Sequence, residues 1–489
     1  MRKTILLVAT AVAALGLASS ASTTLAKTAE VTITSKSPAA VATFKEARDL
    51  LDNVRIAEGQ AGMKKAVALD AGFALAHAYL GSVTPGAEGL KELEKASELG
   101  AKLPEAERIE IMALHSGAKG EELKSRSAWE RVATLAPDDW HVQFTLGGVY
   151  TGERKWDQAA AALERATKLN PKAGAAYNSL GYVYLTQEKN EEAIAAFKKY
   201  SELESTEPNP YDSLAEAYMA AGRLGEAEAS FQKAFDVSHE FYFALQGVAQ
   251  TRFLRNDWKG GKEALDKAQA AATRPVDRLG LEFNRAWSLF ASGQLDDALK
   301  TFDALDVAAK EANEEATYVF VPIARSKMLV DAGRFDAAMT SAEQGLERGK
   351  KQGLPGGTVN AARRAALTNR MLAEARSGKA DAAAKTLALL EADAKATPTN
   401  AGLRSNVELG RGELALARGD AKAAATSLAN CIVQDSYARS RLAAAREKAG
   451  DRAGADQVRK RLVSTNRRDG EYLLIRAQVA GGQAVSEQN

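Results

Sequence analysis

The side chains best suited to acid–base, metal or nucleophilic chemistry are few in this chain of 489 residues. The histidines are His77, His115, His141 and His239, and their spacing does not fit a set of metal ligands. No HExxH, Walker-type phosphate loop, GxGxxG or GxSxG pattern is present, and acidic residues are scattered without a recognisable pair. We therefore expect no enzyme and no cofactor, and we interpret each histidine as a surface or packing residue.

Cys431 is the only cysteine, so an intrachain disulfide is excluded. It lies in the segment LANCIVQ, on the predicted small-residue face of a second helix. A small apolar side chain at such a place is favoured over a reactive thiol.

Four arginines recur at one phase in the second half of the chain, each eight residues before a glycine. The row consists of Arg285, Arg325, Arg370 and Arg411. One interpretation is that they extend to solvent and pair with nearby acids such as Asp296, Asp336 and Asp381. The other is that the row binds an anionic partner. The first is favoured, because extending the side chain is the cheaper way to place a charge near a packed face.

The elements that position these side chains are indicated by a repeat with an unbroken step of 34 residues. The step relates Leu146, Leu180 and Leu214; Tyr150, Tyr184 and Tyr218; Ala159, Ala193 and Ala227; and Leu163, Phe197 and Phe231. A fixed period of this length is typical of a solenoid, in which each unit packs on its neighbours.

Each unit reads as two helices joined by a polar turn. In the first unit, Leu146 and Tyr150 lie at helical spacing, and Ala159 and Leu163 lie at helical spacing after the turn. Pro171 closes the unit, because the residue before a proline resists the helical conformation.

This pattern resembles the tetratricopeptide repeat, a helix–turn–helix unit of about 34 residues. The resemblance implies an all-α, right-handed superhelical solenoid of antiparallel helix pairs. We expect about twelve pairs ending near Ser464, with a regular array at residues 39–275 and degenerate, longer units at residues 276–466. In the degenerate part, Gly293, Gly333, Gly378, Gly419 and Gly450 mark the expected turns.

In arrays of this family, the first helix of each pair lines a concave groove. By this register the groove-facing candidates are Phe144, Asn178, Tyr182, Asp212, Glu216, Phe243, Gln246, Gln250, Phe253, Phe283, Trp287 and Phe290. The aromatic members are either anchors for a partner or packing residues between units. Only Asn178 matches the Lys/Asn/Arg clamp of some intracellular members, since Phe144, Asp212 and Glu216 occupy other clamp places. Binding of a carboxyl-terminal peptide in that way is not expected.

Composition argues against nucleic acid as the main partner. Lys and Arg number 65, Asp and Glu number 63, and no block of like charge stands out. Nucleic-acid binding needs a concentrated basic face.

The amino terminus reads as a secretory signal peptide. A short basic region, Met1 to Lys3, precedes an apolar stretch from Ile5 to Leu17 and then small residues. The apolar run is short for an uncleaved anchor helix, so we expect cleavage between Ala26 and Lys27 and a periplasmic or secreted protein. Residues 1–26 are the signal peptide, 27–38 a flexible leader and 467–489 a carboxyl-terminal cap and disordered tail, and no later segment is expected to span a membrane.

Two functions are compatible with these features. The first is an exported scaffold that holds a protein or peptide partner in its groove. The second is a soluble receptor for a small or polymeric ligand, using the aromatic and arginine-lined carboxyl-terminal half. The sequence favours the scaffold, and the identity of the partner and the oligomeric state are not contained in it.

Overall fold

The structure is a computed structural model that describes residues 29–398, 400–432, 435–464, 466, 471–476 and 478–479. Within these ranges every regular element is a helix and no strand occurs, which confirms the expected all-α class. None of these helices is long and apolar enough to span a membrane. The predicted signal peptide, residues 1–26, lies outside the described residues.

Between residues 38 and 464, 24 described helices follow one another as pairs, an odd-numbered first helix and an even-numbered second helix. They are α1 Pro38–Asp52, α2 Ile56–Leu69, α3 Ala74–Ser82, α4 Gly86–Gly100, α5 Glu105–Ala118, α6 Glu122–Leu135, α7 Trp140–Gly152, α8 Trp156–Leu169, α9 Gly174–Thr186, α10 Asn190–Leu203, α11 Asn209–Ala220, α12 Leu224–Val237, α13 Phe243–Leu254, α14 Trp258–Ala271, α15 Pro275–Ala291, α16 Leu295–Glu311, α17 Glu315–Asp331, α18 Phe335–Lys351, α19 Gly356–Arg376, α20 Ala380–Ala396, α21 Ala401–Ala417, α22 Ala421–Ala429, α23 Ser436–Lys448 and α24 Arg452–Ser464. The last pair ends at Ser464, where the sequence predicts the array to end.

The chain divides into two units, Met1–Val149 and Tyr150–Asn489, called unit 1 and unit 2 below. In unit 2, most first helices contact the first helix of the next pair, as α9 does α11 and α17 does α19. Among the described helices of this unit, second helices make no comparable contact with one another. The first helices of unit 2 therefore lie closer together than the second helices and form its inner layer.

Small residues allow the two helices of a pair to approach closely. A Cβ atom added to Gly181 of α9 would lie 2.6 Å from the ring of Phe197 on α10, which is fully buried. Any larger side chain at Gly181 would displace that ring, so the glycine is required by packing. Burying a phenylalanine of this kind stabilises the fold by about 2–3 kcal/mol.

The turn inside most pairs contains one residue with a left-handed backbone. The predicted turn glycines, from Gly293 to Gly450, all have a positive φ, between 73° and 89°. Val54, Arg154, Glu188 and Asn256 hold the equivalent position in earlier pairs, with φ of 60–62°. Glycine adopts this conformation without steric cost, whereas a residue with a Cβ atom does so under strain.

Residues 31–36, expected to be a flexible leader, are held against unit 1 by hydrogen bonds. The amides of Val31, Thr34 and Lys36 donate to the carboxylates of Asp139, Glu107 and Asp70 at 3.1, 3.0 and 2.9 Å. Asp139 directly precedes α7, Glu107 lies in the first turn of α5, and Asp70 directly follows α2. The leader is therefore an ordered part of unit 1 from Val31 onward, because these carboxylates satisfy its backbone donors.

At the other end of the chain, residues 471–476 are helical and pack on unit 2. Tyr472 is fully buried, in the same apolar cluster as Leu214, Phe231 and Leu254 of α11 to α13. The expected carboxyl-terminal cap therefore returns to helices more than 200 residues earlier in the chain.

Candidate functional site

The inner layer of unit 2 brings together the polar groove candidates of α9 and α11. Ser213 Oγ, on α11, donates to Asn178 Oδ1 at 3.2 Å and lies 3.1 Å from the hydroxyl of Tyr182. The three side chains form one hydrogen-bonded row with Ser213 at its centre. Ser213 was missed by the sequence register, which selected its neighbour Asp212 for this face.

Two aromatic candidates on the inner layer remain exposed. Tyr182 on α9 is 39% exposed, and its ring lies edge-on to Phe197, 5.0 Å away between centroids. Phe243, at the start of α13, is 41% exposed and stacks on Tyr242 with centroids 4.4 Å apart. Burial of the hydroxyl end, and then the nearby Glu216 carboxylate, raise the pKa of Tyr182 well above its usual value. Tyr182 is thus a neutral hydrogen-bonding side chain with an apolar ring open to solvent.

The other candidates of α11 and α13 are less accessible. Asp212 and Gln250 are buried, whereas Glu216 and Gln246 are half-buried. Phe144 belongs to unit 1, where it is half-buried 6.2 Å from the ring of Trp140.

Phe253 is a packing residue, which is the second of the two interpretations that the sequence left open for the groove aromatics. It is only 5% exposed, and its ring lies 5.3 Å from that of Trp258 on α14. A Cβ atom on Gly261 would lie 2.2 Å from the same ring. The ring therefore fills the space between α13 and α14, because Gly261 leaves room for it.

The three aromatic candidates of α15 are half-buried and contact an apolar cluster that extends to α16 and α17. Phe283 lies edge-on to the fully buried Phe302, with centroids 5.6 Å apart. Trp287 and Phe290 lie 6.3 Å apart against the same cluster. These contacts favour the packing interpretation for α15.

Every arginine of the predicted anion row has an acidic partner. The pairs include Arg285–Asp266 at 2.8 Å, Arg325–Asp303 at 3.2 Å, Arg370–Glu374 at 2.8 Å and Arg411–Glu391 at 2.7 Å. Three of the four acids lie on the second helix of the preceding pair, whereas Glu374 lies one turn further along α19. The partners are not Asp296, Asp336 and Asp381, as the sequence suggested. Because its charges are neutralised, this row offers little attraction for an anionic partner.

One cluster of described residues in unit 1 has the composition of a metal site. Ligand atoms of Asp49, Asp52 and His141 lie within 4.8 Å of one another. However, His141 Nδ1 lies 2.7 Å from Asp52 and Nε2 lies 3.7 Å from Asp49, so each ring nitrogen faces its own carboxylate. A metal ion needs one of these nitrogens as a lone-pair donor. The geometry fits a histidine paired with two acids better than a metal centre.

The remaining histidines and the cysteine are held in local contacts. His77 is buried, with Nδ1 2.5 Å from Glu92 and Nε2 3.1 Å from the carbonyl of Ala71. His115 Nδ1 lies 3.1 Å from the hydroxyl of Ser97, and His239 packs edge-on against the ring of Phe235 at 4.8 Å.

Cys431 is buried just beyond the end of α22, rather than on a helix face as expected. Burial raises the pKa of its thiol to about 12. The thiol therefore stays protonated near neutral pH and is a poor nucleophile.

Unit 1 also contains a buried ionisable group that the sequence did not reveal. Glu110 of α5 is 1% exposed and accepts a hydrogen bond from the hydroxyl of Tyr79 at 2.7 Å. Its other oxygen, Oε2, has no hydrogen-bond partner among the residues that the structure describes. Burial raises the pKa of Glu110 to about 7, although the nearby Arg48 favours the charged form.

Comparison with known proteins places recognisable repeats at the centre of the chain. Tetratricopeptide repeat models match residues 144–208 and 209–238. No curated protein sequence matches the chain.

Solved structures share parts of the fold at low sequence identity. MamA from Desulfovibrio magneticus RS-1 is 17% identical over 34% of this chain and 94% of that chain, with a TM-score of 0.32. YrrB, described as a TPR protein with an unusual peptide-binding site, is 18% identical over 38% of this chain and 96% of its own, with a TM-score of 0.33. A tetratricopeptide repeat protein from Parabacteroides merdae is 14% identical over 54% and 98% of the two chains, with a TM-score of 0.41.

Proposed function

Because residues 144–238 are tetratricopeptide repeats, a solenoid type that presents extended binding surfaces, we propose that this chain is an exported scaffold that holds a protein partner. The partner binds the inner layer of unit 2, across α9, α11 and α13. No step of this proposal is catalytic.

The observation that carries the proposal is the pair of exposed aromatics, Tyr182 and Phe243, on the inner layer. Between them lies the buried Ser213 of α11, which hydrogen-bonds to Tyr182 and Asn178. Aromatic side chains held on a rigid surface make strong anchors, because little conformational freedom is lost when they bind. The polar row fixes the orientation of Tyr182, and the exposed ring of Tyr182 offers a partner apolar area.

Export is the second part of the proposal, and it rests on the basic, apolar and small-residue regions of residues 1–26. Intact-mass measurement on protein from the native envelope tests it. We expect a mass that begins at Lys27, and a mass that includes Met1 would contradict export with cleavage.

The receptor alternative finds less support. One cleft of about 240 Å³ in unit 1 is lined by Ser97, Ile111 and Met112 among others. Another, of about 440 Å³ in unit 2, is lined mainly by charged residues such as Arg252, Asp257 and Glu263. Neither lies in the aromatic and arginine-lined part after residue 275 that the receptor hypothesis requires.

Affinity capture with matched variants tests the binding surface. The mature chain, Tyr182→Ala, Phe243→Ala and the control Leu389→Ala, an exposed apolar residue of α20, are immobilised and exposed to envelope extract. Each aromatic truncation should weaken a specifically captured partner by about 30-fold, equivalent to ~2 kcal/mol, while the control should not. Equal capture by all four proteins would place the binding surface elsewhere.

A further inference from the structure

The carboxyl-terminal segment, defined here as Asn466 and residues 471–476, lies against first helices of earlier pairs in unit 2. Asn466 Nδ2 donates to the carbonyl of Met219 at 3.0 Å, and Arg476 Nη1 donates to the carbonyl of Leu254 at 2.8 Å. These carbonyls lie at the ends of α11 and α13, where backbone acceptors lack helical partners and the helix dipole is negative. Polar groups of the segment therefore bind the ends of two helices that also form the proposed inner surface.

Apolar residues of the segment enter two separate clusters. Tyr472 and Leu473 pack into the cluster of α10 to α15, and Ile475 packs into the cluster of α17 to α24. Tyr472 is fully buried, and its hydroxyl donates to the carbonyl of Leu462 at 2.8 Å. One short helix therefore packs on two surfaces that are distant in sequence, and the hydroxyl of its buried tyrosine is hydrogen-bonded.

Lys327 of α17 forms an ion pair with Glu471, the acidic residue of the segment. Lys327 Nζ of α17 lies 2.5 Å from Glu471 and 2.8 Å from Asp331, and it is 3.9 Å from the centre of the Tyr437 ring. Burial alone would lower the pKa of Lys327, but the two carboxylates raise it above its usual value. Glu471 thus gives this charged amine a second carboxylate partner beside Asp331.

Together with the ion pairs of Arg439 and Arg461 to Glu188, these contacts differ from the packing of the rest of the array. In a solenoid, each unit contacts mainly its neighbours. The segment instead forms hydrogen bonds to residues of α11, α13 and α17. These bonded residues precede their partners in the segment by 144 to 247 positions. The segment packs on these helices as one short helix. Its contacts come from one carboxylate, one aromatic ring and aliphatic side chains within six residues. This is the arrangement of a helical peptide on a groove.

We propose that this surface is a peptide-docking site whose resident ligand is the chain's own carboxyl-terminal segment. A partner that presents an acidic residue followed by an aromatic and two aliphatic residues in one helical stretch displaces the segment. This inference rests on the proposed function for the existence of a partner, but it specifies the chemistry of that partner and a competitor for it.

A labelled peptide in trans tests the site on the full chain. The peptide corresponds to residues 466–480, and its binding is followed by fluorescence anisotropy. In the unaltered chain the attached segment competes at an effective concentration of the order of millimolar. Tyr472→Ala weakens this competitor, so we expect the variant to bind the peptide at least about 10-fold more tightly than the unaltered chain.

Second-site changes identify the surface. In the Tyr472→Ala variant, the second change Lys327→Met should lower the affinity for the peptide at least about 10-fold. The matched change Lys300→Met, on the exposed face of α16, should leave it unchanged. Equal binding by the unaltered chain and Tyr472→Ala, or no loss with Lys327→Met, would overturn the inference.

A measurement on the unaltered chain applies even if Tyr472→Ala fails to fold. Unlabelled peptide in millimolar excess should accelerate tryptic cleavage after Arg476, because displacement frees that side chain from the carbonyl of Leu254. Unchanged cleavage would overturn the inference. A Tyr472→Ala dimer in light scattering that the peptide dissociates would assign the surface to a second copy of the chain, which also overturns the proposed occupant.

Failure here is distinguishable from failure of the proposed function. The peptide tests Lys327 and the segment directly, without any captured protein. Capture experiments with Tyr182→Ala and Phe243→Ala test the exposed aromatics without the peptide.

Discussion

Arg461 Nε on α24 donates to Glu188 Oε2 at 2.6 Å, although 273 residues separate them in the chain. Arg439 of α23 approaches the other oxygen of the same carboxylate at 3.5 Å. Glu188 occupies the left-handed position of the turn between α9 and α10, with φ of 60°. One turn of the regular repeats is therefore tied to the last helix pair by two arginines.

Glu188→Gln should remove these ion pairs and keep the shape of the side chain. Arg461 is half exposed, so we expect a loss of only about 0.5–1 kcal/mol in the free energy of unfolding. The loss should shrink at 1 M salt, because exposed charges are screened. Urea unfolding at low and high salt measures it, with Glu202→Gln, which removes an exposed pair within α10, as the control. A loss independent of salt would argue against an electrostatic origin.

Val54→Gly should stabilise the chain. Val54 has φ of 60° and is 76% exposed, so its side chain adds strain and little packing. Relief of this strain should raise the free energy of unfolding of unit 1 by about 1 kcal/mol. Thermal unfolding measures the change. The control is Val307→Gly, an exposed position in the interior of α16, which should be destabilising because glycine weakens a helix interior.

Phe253→Ala and Phe243→Ala should differ in their loss of stability, because one ring of α13 is packed and the other is exposed. Phe253 fills the space against α14, so its truncation should cost about 3–5 kcal/mol of stability. Phe243 is 41% exposed, and its truncation should cost much less, about 1 kcal/mol or below. Chemical denaturation of both variants tests this. Similar losses for the two would mean that Phe243 is a packing residue as well.

Glu110→Gln should remove a pH dependence of stability. The folded pKa of about 7 lies above the unfolded value near 4.5, so the folded state binds more protons between these pH values. Glu110 therefore lowers stability progressively as pH rises from about 4.5 to 7. The full effect is of the order of 3 kcal/mol, since one pKa unit corresponds to about 1.4 kcal/mol.

Urea unfolding at pH 5 and pH 8 measures this difference. Glu110→Gln should gain stability relative to the unaltered chain at pH 8 and differ less at pH 5. Glu46→Gln, an exposed carboxylate of α1, is the matched control and should show no such change. A parallel pH profile for Glu110→Gln and the unaltered chain would contradict the burial argument.

Local features were predictable from the sequence because their physical causes are local. The 34-residue step from Leu146 to Leu214 predicted helix pairs, since side chains at this period must lie on one face of stacked units. Gly293 and Gly450 predicted turns, because glycine adopts the left-handed backbone found there without the strain that a Cβ atom would add. Ser464 was predicted as the end of the array, and α24 ends there.

Which face of a helix is accessible was decided by tertiary packing. Phe243 and Phe253 lie on the same helix and were assigned to the same groove, yet one is exposed and the other is buried. The difference depends on Gly261 in the next helix, which leaves room for the Phe253 ring. The spacing of residues within one helix does not indicate how much room the neighbouring helix leaves for each side chain.

The sequence by itself determined the helix pairs, their turns and the resemblance to tetratricopeptide repeats, because each of these depends on neighbours within one or two units. Only the tertiary structure decided that Val31 hydrogen-bonds to Asp139, that Glu471 pairs with Lys327 and that Tyr472 enters the cluster of α11 to α13. These contacts join residues more than 100 positions apart, and a periodic pattern describes only the separation between adjacent units. The path of the two chain ends over the array depends on the accumulated rotation of many pairs, which no local pattern specifies.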